Sequence, residues 1–312
     1  MKTKKTVHFV LPLANVDDSA IGLEIDSHFV IEKWAMDQLV ELESHFSAMD
    51  RDDFVTEVEH VCCLDVGSGY VYVISGEIDH DEYWKPVPET ADFVEKWFNR
   101  GRYLARINEK IKLMRLFKEG QIETKGSYVY DKRGKEIQPI VSSGLGVAPH
   151  KEIPYNLTNG EKEQLSQFLK KYNTPLKLDF LQLAFENLNQ SYSVEHDELA
   201  FLTLMIGVEV IFNDGNQELK YRITRGMAVL LGSVYDPHEI YESMRKLYDK
   251  RSRLVHTAKH DDLLFDDIGR LRFLLRAAIL RLLELGIAKD KLSQSLTISG
   301  FGDDIAKIKR TK

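Results

Sequence analysis

Residues 207–232, GVEVIFNDGNQELKYRITRGMAVLLG, contain the end of one helix, a break, and a second helix. The first helix is the apolar run Leu199–Phe212, and Asn213-Asp214-Gly215-Asn216 is its stop signal. Gln217 to Leu231 is amphipathic and ends at Gly232. Moving outward, Pro237 suits the first turn of a helix running to about Val255, with Asp236 as its N-cap. Leu263 to Leu285 reads as a long helix ending at Gly286. Upstream, Asn159-Gly160-Glu161 can start one helix and Pro175 the next. Successive helices with short connections make an all-α bundle.

The first 150 or so residues differ. VHFVLPL (7–13) and YVYVIS (70–75) are short apolar runs bounded by Gly and Asp, and they read as strands. Gly67-Ser68-Gly69 reads as a hairpin turn between CCLDV and YVYVI, which puts Cys62 and Cys63 in a strand core. YVYDKRGKEIQPIV (128–141) reads as a hairpin turning at Lys132-Arg133-Gly134. Residues 28–46 and 90–118 have helical spacing. Ser142 to Gly160 is rich in Ser, Gly, Pro and Asn and reads as a linker. The expected organisation is therefore α+β: a mixed α+β domain over 1–155, an all-α domain over 160–300 and a basic tail over 301–312.

The two cysteines are adjacent and unsuited to pairing with each other, which excludes a disulfide framework and points to a reducing compartment. No run approaches ~18 apolar residues, so no membrane span is expected and a cytoplasmic protein is the default. A net charge of -7 argues against non-specific nucleic-acid binding by the whole chain. The charge is unevenly placed. Residues 41–65 hold eight acids against Arg51, while residues 245–281 hold ten Lys/Arg against five Asp. An anion would be met by the second region.

That region contains YDKRSRLVHTAKH, residues 248–260. Arg251 and His256 are five apart, which on an ideal helix separates their side chains by ~140°. By spacing alone, a cationic helix C-terminus explains them as well as a site does. His256 and His260 share the i, i+4 spacing of a zinc helix, but no Glu follows His256, so a metal is not expected. Arg270, Arg272, Arg276 and Arg281 recur on the last long helix, as a solvated face or a track for RNA phosphates. Glu209 and Arg222 are charges in apolar settings, which suits an interhelical ion pair or support for a site. Asp249 and Arg253, at i, i+4, suit a surface pair.

The ordered combination is more specific. The end Glu209-Val-Ile-Phe, the start Glu218-Leu-Lys-Tyr-Arg222 with Ala228-x-Leu-Leu-Gly232, and Leu247-Tyr-Asp-x-Arg251-Ser252-x-x-Val255-His256 together resemble the Apea-like HEPN family over about residues 175–290. The resemblance implies a helical bundle, a homodimer through that domain, no cofactor, and metal-independent endoribonuclease activity of the kind found in phage defence and toxin systems. It implies catalytic roles for Arg251 and His256, with Ser252 at the polar position where nuclease members more often carry Asn, Asp or His. Glu209, Arg222 and Asp249 become candidates for site support, and Lys250, Arg253 and Arg276 for phosphate contact. Histidine can exchange protons near neutral pH, and arginine offers a permanent planar cation. Such a pair suits 2′-OH attack that leaves a 2′,3′-cyclic phosphate. A non-catalytic module that binds a nucleotide or RNA, or that dimerises, is the alternative. The N-terminal domain would bind a trigger, regulate, or select substrate.

Overall fold

The computed structural model describes residues 5–84, 93–133, 136–148, 153–213, 218–257 and 265–299. The chain is mixed α+β, with a sheet in its N-terminal part and helices in its C-terminal part. It divides into two compact units, Met1–Asn173 and Thr174–Lys312.

The first unit is built on β1 (Thr6–Ala14), β2 (Phe29–Ala35), β3 (Tyr70–Asp79), β4 (Glu123–Thr124), β5 (Ser127–Arg133) and β6 (Glu136–Ser143). The order is β2-β3-β1-β5-β6, with β4 also pairing β1, and every pairing is antiparallel. β1 is central and almost wholly buried, which is why TVHFVLPLA reads as a continuous apolar run. Its neighbours Phe9 and Val10 serve opposite faces. Val10 joins Leu39 and Leu42 of α1 (Met36–Glu43) and Phe54 and Val58 of α2 (Arg51–Val61). Phe9 meets Phe29, Tyr83 and Tyr103 edge to face, the last on α4 (Phe93–Phe117), while Tyr83 ends the short α3 (His80–Tyr83). Gly76 of β3 is required where Phe29 crosses it, because a Cβ there would strike the His28 carbonyl.

Two local expectations change. Residues 28–46 are not one helix: Phe29–Ala35 is β2, with Phe29 and Ile31 buried in alternation, and α1 starts only after it. Pairing along the whole of β3 outweighs a helical spacing that the β-branched pair Val30-Ile31 supported poorly. CCLDV follows the end of α2 as a turn, not a strand; Gly67 and Gly69 still turn the chain, with positive φ, but between helix and strand. Cys62 is buried where α2 ends, and burial pushes its thiol up to about 12. The hairpin over 128–141 forms as β5 and β6, its turn residue Gly134 lying outside the described residues.

The boundary also moves. Ser142 and Ser143 belong to β6, and Tyr155 is fully buried with its hydroxyl donating to the Met114 carbonyl at 3.0 Å. α5 (Asn159–Lys171) stays with the first unit. The buried Lys110 ammonium donates to the Leu169 carbonyl at 2.5 Å and to the Tyr172 carbonyl and Asn173 Oδ1. It thereby covers the open carbonyls at the helix C-terminus. At the other end Thr158 and Glu161 form a capping box, and Lys118 reaches Glu161 at 2.8 Å. The Lys118 ammonium and the Thr158 backbone N–H hold the Glu161 carboxyl down at about 2. Its contribution is present above the ordinary carboxylate pKa of 4.5 and is lost as pH falls from there toward about 2. Acid titration of stability should therefore be shallower in this window for Glu161→Gln than for the parent; superimposable profiles would remove Glu161 from the acid response.

The second unit is helical: α6 (Asp179–Ser193), α7 (Asp197–Phe212), α8 (Leu219–Leu231), α9 (Pro237–Thr257), α10 (Phe265–Leu285) and α11 (Lys289–Ser299). α6 and α7 form an antiparallel pair covered by α10, and α8 packs along α9. Asp236 caps α9 by accepting from the His238 and Glu239 N–H groups, and Gly286 ends α10 with φ +58°. Gly207 lets α7 approach α10, since a Cβ would lie 2.8 Å from Leu275 Cδ2. α11 follows without having been distinguished in the sequence. Among the described residues no helix is long and apolar enough to cross a membrane.

Candidate functional site

α9 carries the Arg–Ser–His motif in its last two turns. Arg251 reaches back to α7, where its Nη2 lies 3.2 Å from Glu209 Oε1. The two side chains are only 26% and 19% exposed. That oxygen is shielded from solvent and makes no hydrogen bond among the described residues, so the link is one of charge. The Arg251 guanidinium also lies 5.9 Å from the Tyr248 ring centre. Burial raises the Tyr248 hydroxyl pKa, with Arg251 opposing and Glu209 adding to the rise. Ser252 is half-buried, and His256 is exposed.

The flanking charges are mostly engaged. Asp249 Oδ1 accepts from Lys220 Nζ of α8 at 2.5 Å, and Lys250 Nζ donates to Asp267 of α10 at 2.6 Å. Lys250, a candidate phosphate contact, therefore spends its charge on packing α9 against α10. Arg222 is half-buried on α8, Arg253 exposed on α9 and Arg276 half-buried on α10. The arginines of α10 do not form one track. Arg270 reaches Glu239 at 2.7 Å, Arg281 reaches Glu284 at 3.3 Å, and Arg272 is buried, donating to the Ser191 carbonyl at 2.7 Å. His260 lies outside the described residues. Among the described residues no three His, Cys, Asp or Glu side chains converge to hold a metal ion.

Beside the motif is a feature the sequence reading passed over. A shallow groove of about 720 Å³ runs between the first turns of α8 and the middle of α9, lined by Lys220, Tyr221, Thr224, Tyr241, Arg245 and Tyr248, with Glu218 and Leu219 at its edge. Its signal in the sequence is Tyr241-x3-Arg245-x2-Tyr248, an i, i+4, i+7 stripe that would be core if it were aliphatic.

A scan against protein-family models and searches of curated proteins and of solved structures return no match.

Proposed function

We propose that the second unit is an HEPN-type bundle and that the chain is a metal-independent endoribonuclease, acting as a homodimer. The observation that carries the reading is the Arg251-Ser252-x3-His256 motif at the end of α9, with Arg251 steered by Glu209 and His256 open to solvent. Buttressing by a carboxylate fixes a guanidinium for phosphate oxygens while leaving part of its fork available. An exposed imidazole can take the 2′-OH proton and return one to the leaving oxygen. Arg251 and His256 lie ~140° apart around the helix, and a second chain would complete the cleft. A surface for it is available on α7, a mostly apolar helix whose Leu199 and Ile206 are each 51% exposed. The first unit would then serve as trigger sensor, regulator or substrate selector. Its exposed acids Asp52 and Asp53 on α2 repel RNA rather than grip it.

Arg251 is also the reason for a second reading. A half-buried ion pair to Glu209 is what a purely structural arginine makes, and the bundle would then be a non-catalytic nucleotide- or RNA-binding or dimerisation module. Incubation of the purified chain with total RNA in excess EDTA separates the two. The ribonuclease leaves fragments ending in 2′,3′-cyclic phosphate; intact RNA supports the module.

A further inference from the structure

Tyr241, Arg245, Tyr248 and Ser252 recur along α9 at i, i+4, i+7 and i+11. At ~100° per residue they fall within about 60° of one another, on one stripe. The first three line the groove, and Ser252 of the motif follows one turn on, about 6 Å along the axis. The opposite wall is the start of α8, where Tyr221 is 53% exposed. Among the described residues no other aromatic ring packs on Tyr221, Tyr241 or Tyr248. Tyr221 is exposed, Tyr241 and Tyr248 are half-buried with the Arg251 guanidinium 5.9 Å from the Tyr248 ring centre, and the nearby buried residues of the same helices are aliphatic, among them Ile223, Met244 and Leu247. The groove's cations, Lys220 and Arg245, are held by Asp249 and Glu242 at 2.5 and 2.6 Å. Both lysine and arginine are more than 40% exposed, and pairs of this kind contribute little in water, so a phosphate can displace the carboxylates.

We propose that this groove receives unpaired bases of a single-stranded RNA next to the phosphate that is cut, the tyrosine rings stacking on the bases and Lys220 and Arg245 holding the backbone. A base paired in a duplex is already stacked and cannot enter; a splayed base can, whatever its identity, because each has a π-face. The inference rests on the ribonuclease reading for the nature of its occupant, and it adds that the enzyme prefers unpaired RNA.

The test uses the full chain carrying His256→Ala, so that RNA stays intact. Anisotropy is read with a short labelled, unstructured oligoribonucleotide and with the same strand annealed to its complement. Tyr221→Ala and Tyr241→Ala are each expected to weaken single-strand binding roughly ten-fold, with Tyr→Phe at either position binding as the parent does. The duplex should bind more weakly than the single strand at equal salt. Unchanged affinity in both alanine variants, or equal affinity for duplex and single strand, overturns the proposal, as does a parent that binds no RNA. Cleavage is assayed separately with His256 intact. His256-dependent cutting that ignores both tyrosine substitutions overturns the groove and leaves the ribonuclease. Tyrosine-dependent binding without any cutting upholds the groove and overturns the ribonuclease.

Discussion

RNA cleavage is expected to fall at least ~100-fold in His256→Ala, the range that removing a general acid–base group gives. Arg251→Ala should lose a comparable factor, through lost stabilisation of charge on the phosphorane. The two variants differ in what else they disturb. His256 is exposed, so its removal should leave the unfolding midpoint unchanged. Arg251 is paired with Glu209, whose Oε1 is shielded from solvent, so Arg251→Ala should also cost about 1–3 kcal/mol for the carboxylate left behind. Arg251→Lys keeps the charge but loses the planar fork, and should recover stability better than activity. Mixing the two alanine variants tests the dimer directly. If each cleft takes Arg251 from one chain and His256 from the other, a mixed dimer contains one complete cleft and regains activity. If each cleft is built within one chain, the mixture stays dead. His256→Ala that cuts at the parental rate would leave only the binding module.

What was legible in the sequence follows from locality. The helices of the second unit up to α10 announce themselves through local signals, such as Asp236 before Pro237, Asn213 after Phe212 and Gly286 after Leu285, whereas α11 does not. β1 and β3 are legible because their apolar runs are short and sharply bounded. β2 is not, because its state is decided by β3, far along the chain, and a seven-residue stretch with mixed spacing has no local vote strong enough to say so. The boundary between the units was misplaced for a similar reason. A stretch rich in Ser, Gly and Pro looks like a tether until Tyr155 is seen buried and Lys110 is seen holding the end of α5. At the candidate site, the motif was legible as spacing, and its pairing was not. Nothing local says that Glu209 meets Arg251, that Asp249 meets Lys220, or that Lys250 is spent on Asp267.

Arg272 is the sharpest case, and the largest stability effect is expected there. In the sequence it is one of four arginines on a long helix; in the fold it is 2% exposed. Its guanidinium donates to the Ser191 carbonyl at 2.7 Å and Oγ at 3.1 Å, and sits 4.1 Å from the Tyr192 ring centre. Ser191 lies in the last turn of α6, where carbonyls lack helical partners and a cation is favoured. Arg272 is therefore a C-terminal cap supplied from another helix. Arg272→Ala should destabilise the second unit by about 3 kcal/mol, combining a void with an unsatisfied buried carbonyl. Arg272→Met refills the void and sheds the cost of a buried charge, so its loss should be smaller. Arg272→Lys keeps the charge at the helix end but gives up the double contact with Ser191 and the planar guanidinium that lies over the Tyr192 ring. The measurement is urea unfolding followed by far-UV circular dichroism, since the second unit contains no tryptophan. If Arg272 instead served RNA, its removal from the folded His256→Ala chain would weaken binding and flatten the salt dependence. Burial predicts that both stay as they were.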